Sequence, residues 1–503
     1  MASFPSIGCF RELGDKDSMK KLCVLGLGYI GLPTAAMFAA HGFEVVGVDV
    51  DDRVVDLLSN GEVHVKEPGL KTLVEAAVKS GKLRVAREAE TADVFIIAVP
   101  TPLNRGPESA SAPGSGGPAG ETALPRADLS FVRSAVESVV PHLRAGNLVV
   151  LESTVSPRTV VDLLIPILRR SGLPVAGADS RRHSGKQGAA GSSDSDAAGC
   201  APVLVAHCPE RVLPGRILEE LVHNDRVIGG ADRASAEAAR ELYSTFVGGE
   251  LFVTDATTAE MVKLMENSYR DVNIALANEL SLVAERVGID IWEAIELANR
   301  HPRVNILRPG PGVGGHCIAV DPWFIAEAAP QVTPLIQTAR RVNDGMPGHV
   351  VELVKRAVGE SWQKNEYVGS DEGPTRIACL GLAYKANVDD ARESPALRVV
   401  QLLQAEGFEV RAYDPYVPTG TIQGQVESLE DAMELAAVAV ILTDHDSLRK
   451  QVQTYLASSS RRRRLVDTRN WIERRLGQPG NVDAVVLGLG LGTPQSIQAE
   501  VRS

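Results

Sequence analysis

From Lys21 the chain shows a short apolar run, a glycine-rich turn, a helical stretch over Ala35 to His41 and a second apolar run from Phe43 to Val48. Strand, glycine turn, helix and strand in that order open a β-α-β unit. Val94 to Val99 and Leu148 to Leu151 are unbroken apolar runs, the pattern of parallel strands covered by helices on both faces. A parallel sheet is therefore expected to about residue 210. From 233 to 300 the apolar positions fall instead at helical spacing, through Met261, Leu264, Met265, Ile274, Leu276 and Leu280. Helical spacing resumes from Pro334 to Val358, as a connecting helix. After the polar stretch Gly369 to Pro374, strand and helix alternate again: Arg376 to Leu382, Pro395 to Glu406, Phe408 to Tyr413, Ala437 to Leu442 and Leu465 to Asp467.

The pattern predicts an α/β protein with two Rossmann-like, doubly wound domains joined by a central helical domain. The expected division is an extension over 1–18, a first doubly wound domain over 19–210, a helical domain with its connecting helix over 211–365, and a last domain over 371–503. Segments 105–120 and 179–199 are rich in Gly, Ser, Ala and Pro, nearly without large apolar residues, and are expected to be disordered insertions.

Composition agrees with several domains, since 503 residues at 44% hydrophobic content exceed what one core usually holds. Lys and Arg number 52 against 64 Asp and Glu, a formal charge of -12, and no basic stripe interleaved with aromatics suggests a nucleic-acid partner. The one dense basic cluster, Arg461 to Arg464, suits a strand edge or a diphosphate. Six cysteines without C-x-x-C spacing are expected to be free thiols in a reducing compartment. The first eighteen residues lack an apolar core of signal-peptide length, and no run approaches a membrane span, so a cytoplasmic protein without a membrane partner is expected. Met19 is an alternative start.

Two segments carry candidate chemistry. Gly26-Leu27-Gly28-Tyr29-Ile30-Gly31 follows a strand and opens a helix, where glycines let backbone N–H groups approach a pyrophosphate. Eighteen residues beyond Gly31, at the end of the next strand, Asp49 is placed to accept both ribose hydroxyls of NAD and to repel a 2′-phosphate. Arg53 nearby is the residue that would argue for the phosphorylated cofactor. In Gly310-Pro311-Gly312-Val313-Gly314-Gly315-His316-Cys317-Ile318-Ala319-Val320-Asp321-Pro322, a cysteine follows four glycines expected to admit a ligand close to the backbone. A thiol where a loop meets a helix can ionise near neutrality; alone, Cys317 equally fits an inert buried thiol.

Five segments occur in order: GLGYIGLP at Gly26 to Pro33, ESTVSPRT at Glu152 to Thr159, PERVLPG at Pro209 to Gly215, GPGVGGHCIAVDPWFI at Gly310 to Ile325 and DDARESPA at Asp389 to Ala396. With them the chain resembles the UDP-glucose/GDP-mannose dehydrogenase family over residues 19 to 480. His316, the HPRVNIL run at His301 to Leu307 and the AVDPWFI tail look most like the branch that acts on UDP-N-acetyl-D-mannosamine. Val320 stands where glucose-specific members typically carry a lysine.

The resemblance implies an NAD-dependent, four-electron oxidation of the sugar's C6 alcohol to a carboxylate, through a thiohemiacetal and thioester on Cys317. It implies that Lys263 stabilises the oxyanions, that Asn267, four residues on, shares its helix face, that Asp321 and Thr154 position a water or proton relay, and that Glu210 is a base for thioester hydrolysis. Implied cofactor contacts are Gly26, Gly28, Tyr29, Ile30, Gly31, Asp49, Arg53, Pro100, Thr101 and Thr154. Implied contacts of a UDP-sugar are Glu210, Arg211, Lys263, Asn267, Arg303, Asn305, Gly314, His316, Lys385 and Arg392, with Arg303 reaching across a subunit boundary. An Arg392 merely paired with Asp389, Asp390 or Glu393 is the competing reading there. No metal is expected. A homodimer or larger homo-oligomer serving polysaccharide biosynthesis is implied. Alternatives are a 6-dehydrogenase of UDP-N-acetylglucosamine or UDP-glucose, a non-catalytic nucleotide-sugar binding protein, and a two-electron alcohol dehydrogenase needing no cysteine. The segments Pro102 to Leu129 and Asp179 to Pro202 are longer than the family needs, and a shifted loop after Pro102 would weaken NAD affinity.

Overall fold

A computed structural model describes residues 21–104, 124–177, 200–315, 317–363, 374–458, 463–471 and 484–491. The expected extension 1–18, both insertions (105–120 and 179–199) and His316 lie outside the described residues. The chain falls into two compact units, one ending at Leu264 and the other running from Met265.

The first unit holds an eight-stranded sheet. Its strands are β1 (Lys21–Leu25), β2 (Glu44–Val48), β3 (Leu83–Ala86), β4 (Val94–Ile97), β7 (Leu148–Leu151), β8 (Leu204–His207), β9 (Arg226–Gly230) and β10 (Leu251–Asp255); β5 (Leu103–Asn104) and β6 (Arg126–Ala127) form a separate antiparallel pair. The order is β10-β9-β8-β7-β4-β1-β2-β3, and all neighbours are parallel except β8 and β9. The six strands from β3 to β8 reproduce the doubly wound order, with its switch point between β1 and β4. β4 (VFII) and β7 (LVVL) are buried at every position, which accounts for their continuous apolar sequences.

The sheet therefore does not end near residue 210, as the apolar pattern suggested, but reaches Asp255. β9 ends in Gly229 and Gly230, where added Cβ atoms would come within 2.5 Å of Ala259 and 2.2 Å of the Asp232 carbonyl. β10 is a sheet edge with Phe252 50% exposed. Glycines and an exposed edge hide both strands from an apolar-run reading. The helical spacing from 233 begins in Arg233–Tyr243, a helix packed on this sheet.

The second unit contains most of the 32-residue helix Ala256–Val287, then helices Ile291–Ala298, Asp321–Ala328 and Pro334–Gln363. A second parallel sheet follows: β11 (Arg376–Leu380), β12 (Glu409–Tyr413), β13 (Val438–Ile441), β14 (Arg463–Asp467) and β15 (Ala484–Gly488), in the order β12-β11-β13-β14-β15. This is the other common doubly wound order, with its switch point between β11 and β13. Among the described residues no helix is long and apolar enough to cross a membrane, and no group of His, Cys, Asp and Glu could hold a metal ion.

Candidate functional site

At the switch point of the first sheet, each glycine of the fingerprint has its own reason. Gly26 has φ +89°, and a Cβ there would lie 2.6 Å from the Ala98 carbonyl at the end of β4. A Cβ on Gly31 would lie 1.9 Å from the Gly26 carbonyl, so only glycine lets helix Gly31–Ala40 start this close to the turn. Gly28 has nothing within 4 Å of its missing Cβ and is exposed, leaving room for a pyrophosphate. Asp49 Oδ2 accepts the Leu27 N–H (2.9 Å) and Oδ1 the Asp51 N–H (3.0 Å). Each carboxylate oxygen keeps a second lone pair for a ribose hydroxyl. Arg53 turns to Asp51, NH2 to Oδ2 at 3.0 Å, so its fork already has an anion. The turn thus fits NAD, held by backbone amides and Asp49. Tyr29 and Ile30 are half-buried at the helix start and Pro100 is exposed beyond β4. Thr101 donates to the Thr154 carbonyl (2.8 Å), tying the ends of β4 and β7 together.

Sequence reasoning missed His64, exposed near Asp49 and Leu27, whose pKa desolvation lowers against the pull of Asp49. It also missed a buried ionic cluster. Glu152 accepts hydrogen bonds from the Tyr243 hydroxyl (2.6 Å) and Thr34 (3.2 Å), and Arg226 lies between Glu152 (3.5 Å) and Glu210. The Arg226 guanidinium sits 4.3 Å from the Tyr243 ring centroid. Burial raises the Glu152 pKa even against that cation. Glu210, read as a candidate base for thioester hydrolysis, is 8% exposed and ion-paired with Arg226. Arg211 reaches the Asp225 carbonyl at 3.0 Å. Glu67 fastens the PERVLPG segment by accepting the Gly215 and Ile217 N–H groups, both at 2.7 Å.

Lys263 is half-buried in the first unit, and its charge is felt by His207, the last residue of β8. His207 is fully buried with neither ring nitrogen hydrogen-bonded, and burial drives its pKa down to about 3.

In the second unit Cys317 is exposed, and its carbonyl accepts the N–H groups of Val320 (3.0 Å) and Asp321 (2.8 Å). The sulfur-bearing residue thus begins the turn that leads into helix Asp321–Ala328. Asp321, 2% exposed, accepts the Asn267 amide at 2.5 Å. Asp321 and Asn267 are brought together.

The four glycines before Cys317 have a packing reason of their own. Their Cβ directions are filled by the protein itself: Arg469 NH1 at 2.9 Å from Gly310, Pro395 at 3.0 Å from Gly312, the Glu393 carbonyl at 2.5 Å from Gly314 and the Tyr384 ring at 2.8 Å from Gly315. They allow the segment to lie on the C-terminal domain. For Gly314, any substrate contact is left to the peptide groups.

Arg392 forks onto Asp390 (2.9 and 2.7 Å), the ion pair that competed with a phosphate role, and Lys385 is half-buried in the same loop. Arg303 and Asn305 are exposed on the irregular segment after helix Ile291–Ala298. Arg469, overlooked in the sequence, stands at the end of β14 with Nε on the Leu442 carbonyl (2.8 Å) and its guanidinium against Gly310. Its signal was a cation at the carboxyl end of a parallel strand, where such sheets bind ligands.

Three consecutive regions match the descriptions of one family: its NAD binding domain over residues 20–247, its central domain over 257–345 and its UDP binding domain over 378–474. The chain is 46% identical over 474 residues to UDP-N-acetyl-D-mannosamine dehydrogenase of Methanocaldococcus jannaschii, covering 94% of this chain and 97% of that one. It is 45% identical over 464 residues to NDP-N-acetyl-D-galactosaminuronic acid dehydrogenase of Ralstonia nicotianae, covering 91% and 97%. A solved structure of UDP-D-ManNAc dehydrogenase from Pyrococcus horikoshii superposes with a TM-score of 0.77 at 38% identity, over 94% of this chain and 99% of the other. The chain therefore belongs to the UDP-glucose/GDP-mannose dehydrogenase family, as a nucleotide-sugar dehydrogenase with NAD as its cofactor.

Proposed function

We propose that this enzyme oxidises the C6 alcohol of UDP-N-acetyl-D-mannosamine to the carboxylate by way of a thioester on Cys317. The supporting observation is an exposed cysteine at the head of a helical turn, with the buried pair Asp321 and Asn267 immediately behind it. NAD supplies the hydride acceptor for each of the two oxidations. The chain's residues do the rest. Lys263 stabilises the alkoxide from which the first hydride leaves. Cys317 adds through sulfur to the resulting aldehyde, and the thiohemiacetal loses the second hydride to become a thioester. Water, positioned by Asp321, Asn267 and Thr154, then releases the acid and the thiol. The balance is one alcohol, two NAD⁺ and one water giving one carboxylate, two NADH and three protons. Glu210, paired with Arg226, is kept both for substrate contact and as the base for thioester hydrolysis.

Domain roles follow: cofactor on the first sheet, uridine diphosphate on the second, with Lys385, Arg392 and Arg469 as cations for the phosphates. Arg303, Asn305 and His316 are placed at the sugar. Met265, Tyr269, Leu276, Val283 and Val287, exposed along helix Ala256–Val287, are the surface we assign to a homodimer.

The test is NADH yield per sugar with purified enzyme. Two equivalents are expected, and Cys317→Ser should stop after one equivalent or at a trapped ester. A wild-type yield of two NADH from Cys317→Ser overturns the thioester. The galactosaminuronate relative favours one competing reading, that another nucleotide-linked N-acetylhexosamine is the substrate; turnover of the purified sugars side by side separates them.

A further inference from the structure

The helix Ala256–Val287 is amphipathic in reverse over its second-unit portion. Met265, Tyr269, Leu276, Val283 and Val287, between 48% and 72% exposed, recur at intervals of four and seven and share one stripe. Asn267, Asp271, Asn278 and Glu285 lie on the opposite face, and each is hydrogen-bonded to a different segment. Asn267 donates to Asp321 (2.5 Å). Asp271 accepts from Arg340 (2.6 Å) and from the Asn343 amide (2.8 Å). Asn278 donates to Asn343 Oδ1 (2.9 Å) and accepts the Gly310 N–H (2.9 Å). Glu285 accepts the Gly490 N–H (3.0 Å) and bonds His349 (2.9 Å). Asp271, Asn278, Arg340 and Asn343 are at most 1% exposed. Burying so many polar groups is costly unless their bonds are kept, so the network admits one geometry.

Two of these bonds bracket the reactive segment: Gly310 lies seven residues before Cys317 and Asp321 four after it. We infer that Asn278 is a positioning residue. Its carbonyl fixes the entry of the glycine segment, while Asn343, itself held by Asp271, which Arg340 pairs in turn, prevents the amide from turning, so the segment that carries the Cys317 sulfur is presented in one place. The inference rests on the proposed role of Cys317.

The test compares Asn278→Leu, which removes both bonds at similar size, with Asn278→Asp. A protonated aspartate reproduces the asparagine, its carbonyl accepting from Gly310 and its O–H donating to Asn343, whereas the carboxylate cannot donate. With UDP-N-acetyl-D-mannosamine, Asn278→Leu is expected to lower kcat about a hundredfold, the scale of an ångström's misplacement, with NAD affinity kept and the rate of Cys317 alkylation by iodoacetamide altered. Asn278→Asp is expected to approach wild-type kcat, measured as a ratio at each pH, as the pH falls. Wild-type kcat in Asn278→Leu overturns the inference. So does a loss of NAD affinity and thermal stability in proportion to kcat with no recovery of the aspartate variant at low pH, since that marks a purely structural residue. Should Cys317→Ser still yield two NADH, the thioester reading fails on its own evidence, whatever the Asn278 variants do.

Discussion

Asp414 is bound to His445 inside the C-terminal domain, Oδ2 to Nε2 at 3.0 Å, with both side chains fully buried. His445 Nδ1 accepts the Asn387 N–H (2.8 Å), so Nε2 carries the proton given to Asp414. Asp414 also accepts the N–H groups of Leu382, Ala383, Tyr416 and Val417. It stands just after β12 and bonds the turn that follows β11, as Asp49 stands after β2 and bonds the turn that follows β1. Gly26 (φ +89°) and Gly381 (φ +92°) open the two turns alike. Asp49 retains capacity for a ribose; Asp414 has spent its own on the protein.

Burial alone would raise the Asp414 pKa, but the hydrogen bond from His445 and those from the backbone amides outweigh it and bring the value to about 2. A carboxyl depressed in the fold contributes stability above its unfolded pKa of about 3.9 and loses it as pH falls through about 2. Asp414→Asn should therefore cost about 2 kcal/mol at neutral pH. In urea titrations the difference from wild type should shrink between about pH 4 and about pH 2. A constant difference over that range would contradict it.

Glu260 has the opposite sign. It is 1% exposed and accepts the N–H groups of Arg158 (2.5 Å) and Val160 (2.8 Å), fastening the segment after Thr154. Burial nevertheless pushes its pKa up to about 7. Its contribution is full below the unfolded value of about 4.3 and disappears as pH rises through about 7. Wild type should thus lose about 3 kcal/mol across that window that Glu260→Gln does not lose, read from unfolding curves at each pH.

The glycine fingerprint separates folding from binding. Gly31→Ala forces a methyl into the Gly26 carbonyl and should fail to fold or unfold tens of degrees earlier in calorimetry. Gly28→Ala meets no atom of the protein, so its melting temperature should match wild type while KM for NAD rises. Equal melting losses in both variants would show that the open space at Gly28 has no bearing on cofactor.

Arg226→Met would leave Glu152 and Glu210 buried without their cation. A destabilisation of about 3–5 kcal/mol is expected by chemical denaturation. Adding Glu210→Gln to that variant should restore part of it, because one of the unpaired charges is then gone.

The first turn was legible because its logic is local: Gly26, Gly28, Gly31 and Asp49 lie within one β-α-β unit, and spacing alone specifies the geometry. The helical middle was legible only as helix. Its buried polar positions Asp271 and Asn278 gave no sequence signal, because their partners Arg340, Asn343 and Gly310 come from segments far along the chain. Helical period cannot tell which face is inside when the buried one is polar and the exposed one apolar. β9 was hidden by its glycines and β10 by its edge position. Arg226 in β9 looked like any surface cation until Glu152 and Glu210 closed on it.

Gly314 and Gly315 leave no gap between the reactive segment and Glu393, Pro395 and Tyr384. The segment that leads to Cys317 is thereby packed directly onto the C-terminal domain, its offset from that domain determined when the chain folds. A sugar with a longer or shorter reach from its phosphates to the oxidised carbon would find the nucleophile at the wrong depth. On the proposed chemistry such packing would act as a fixed ruler, and a change of substrate would have to come from the walls beside the sugar rather than from sliding the cysteine.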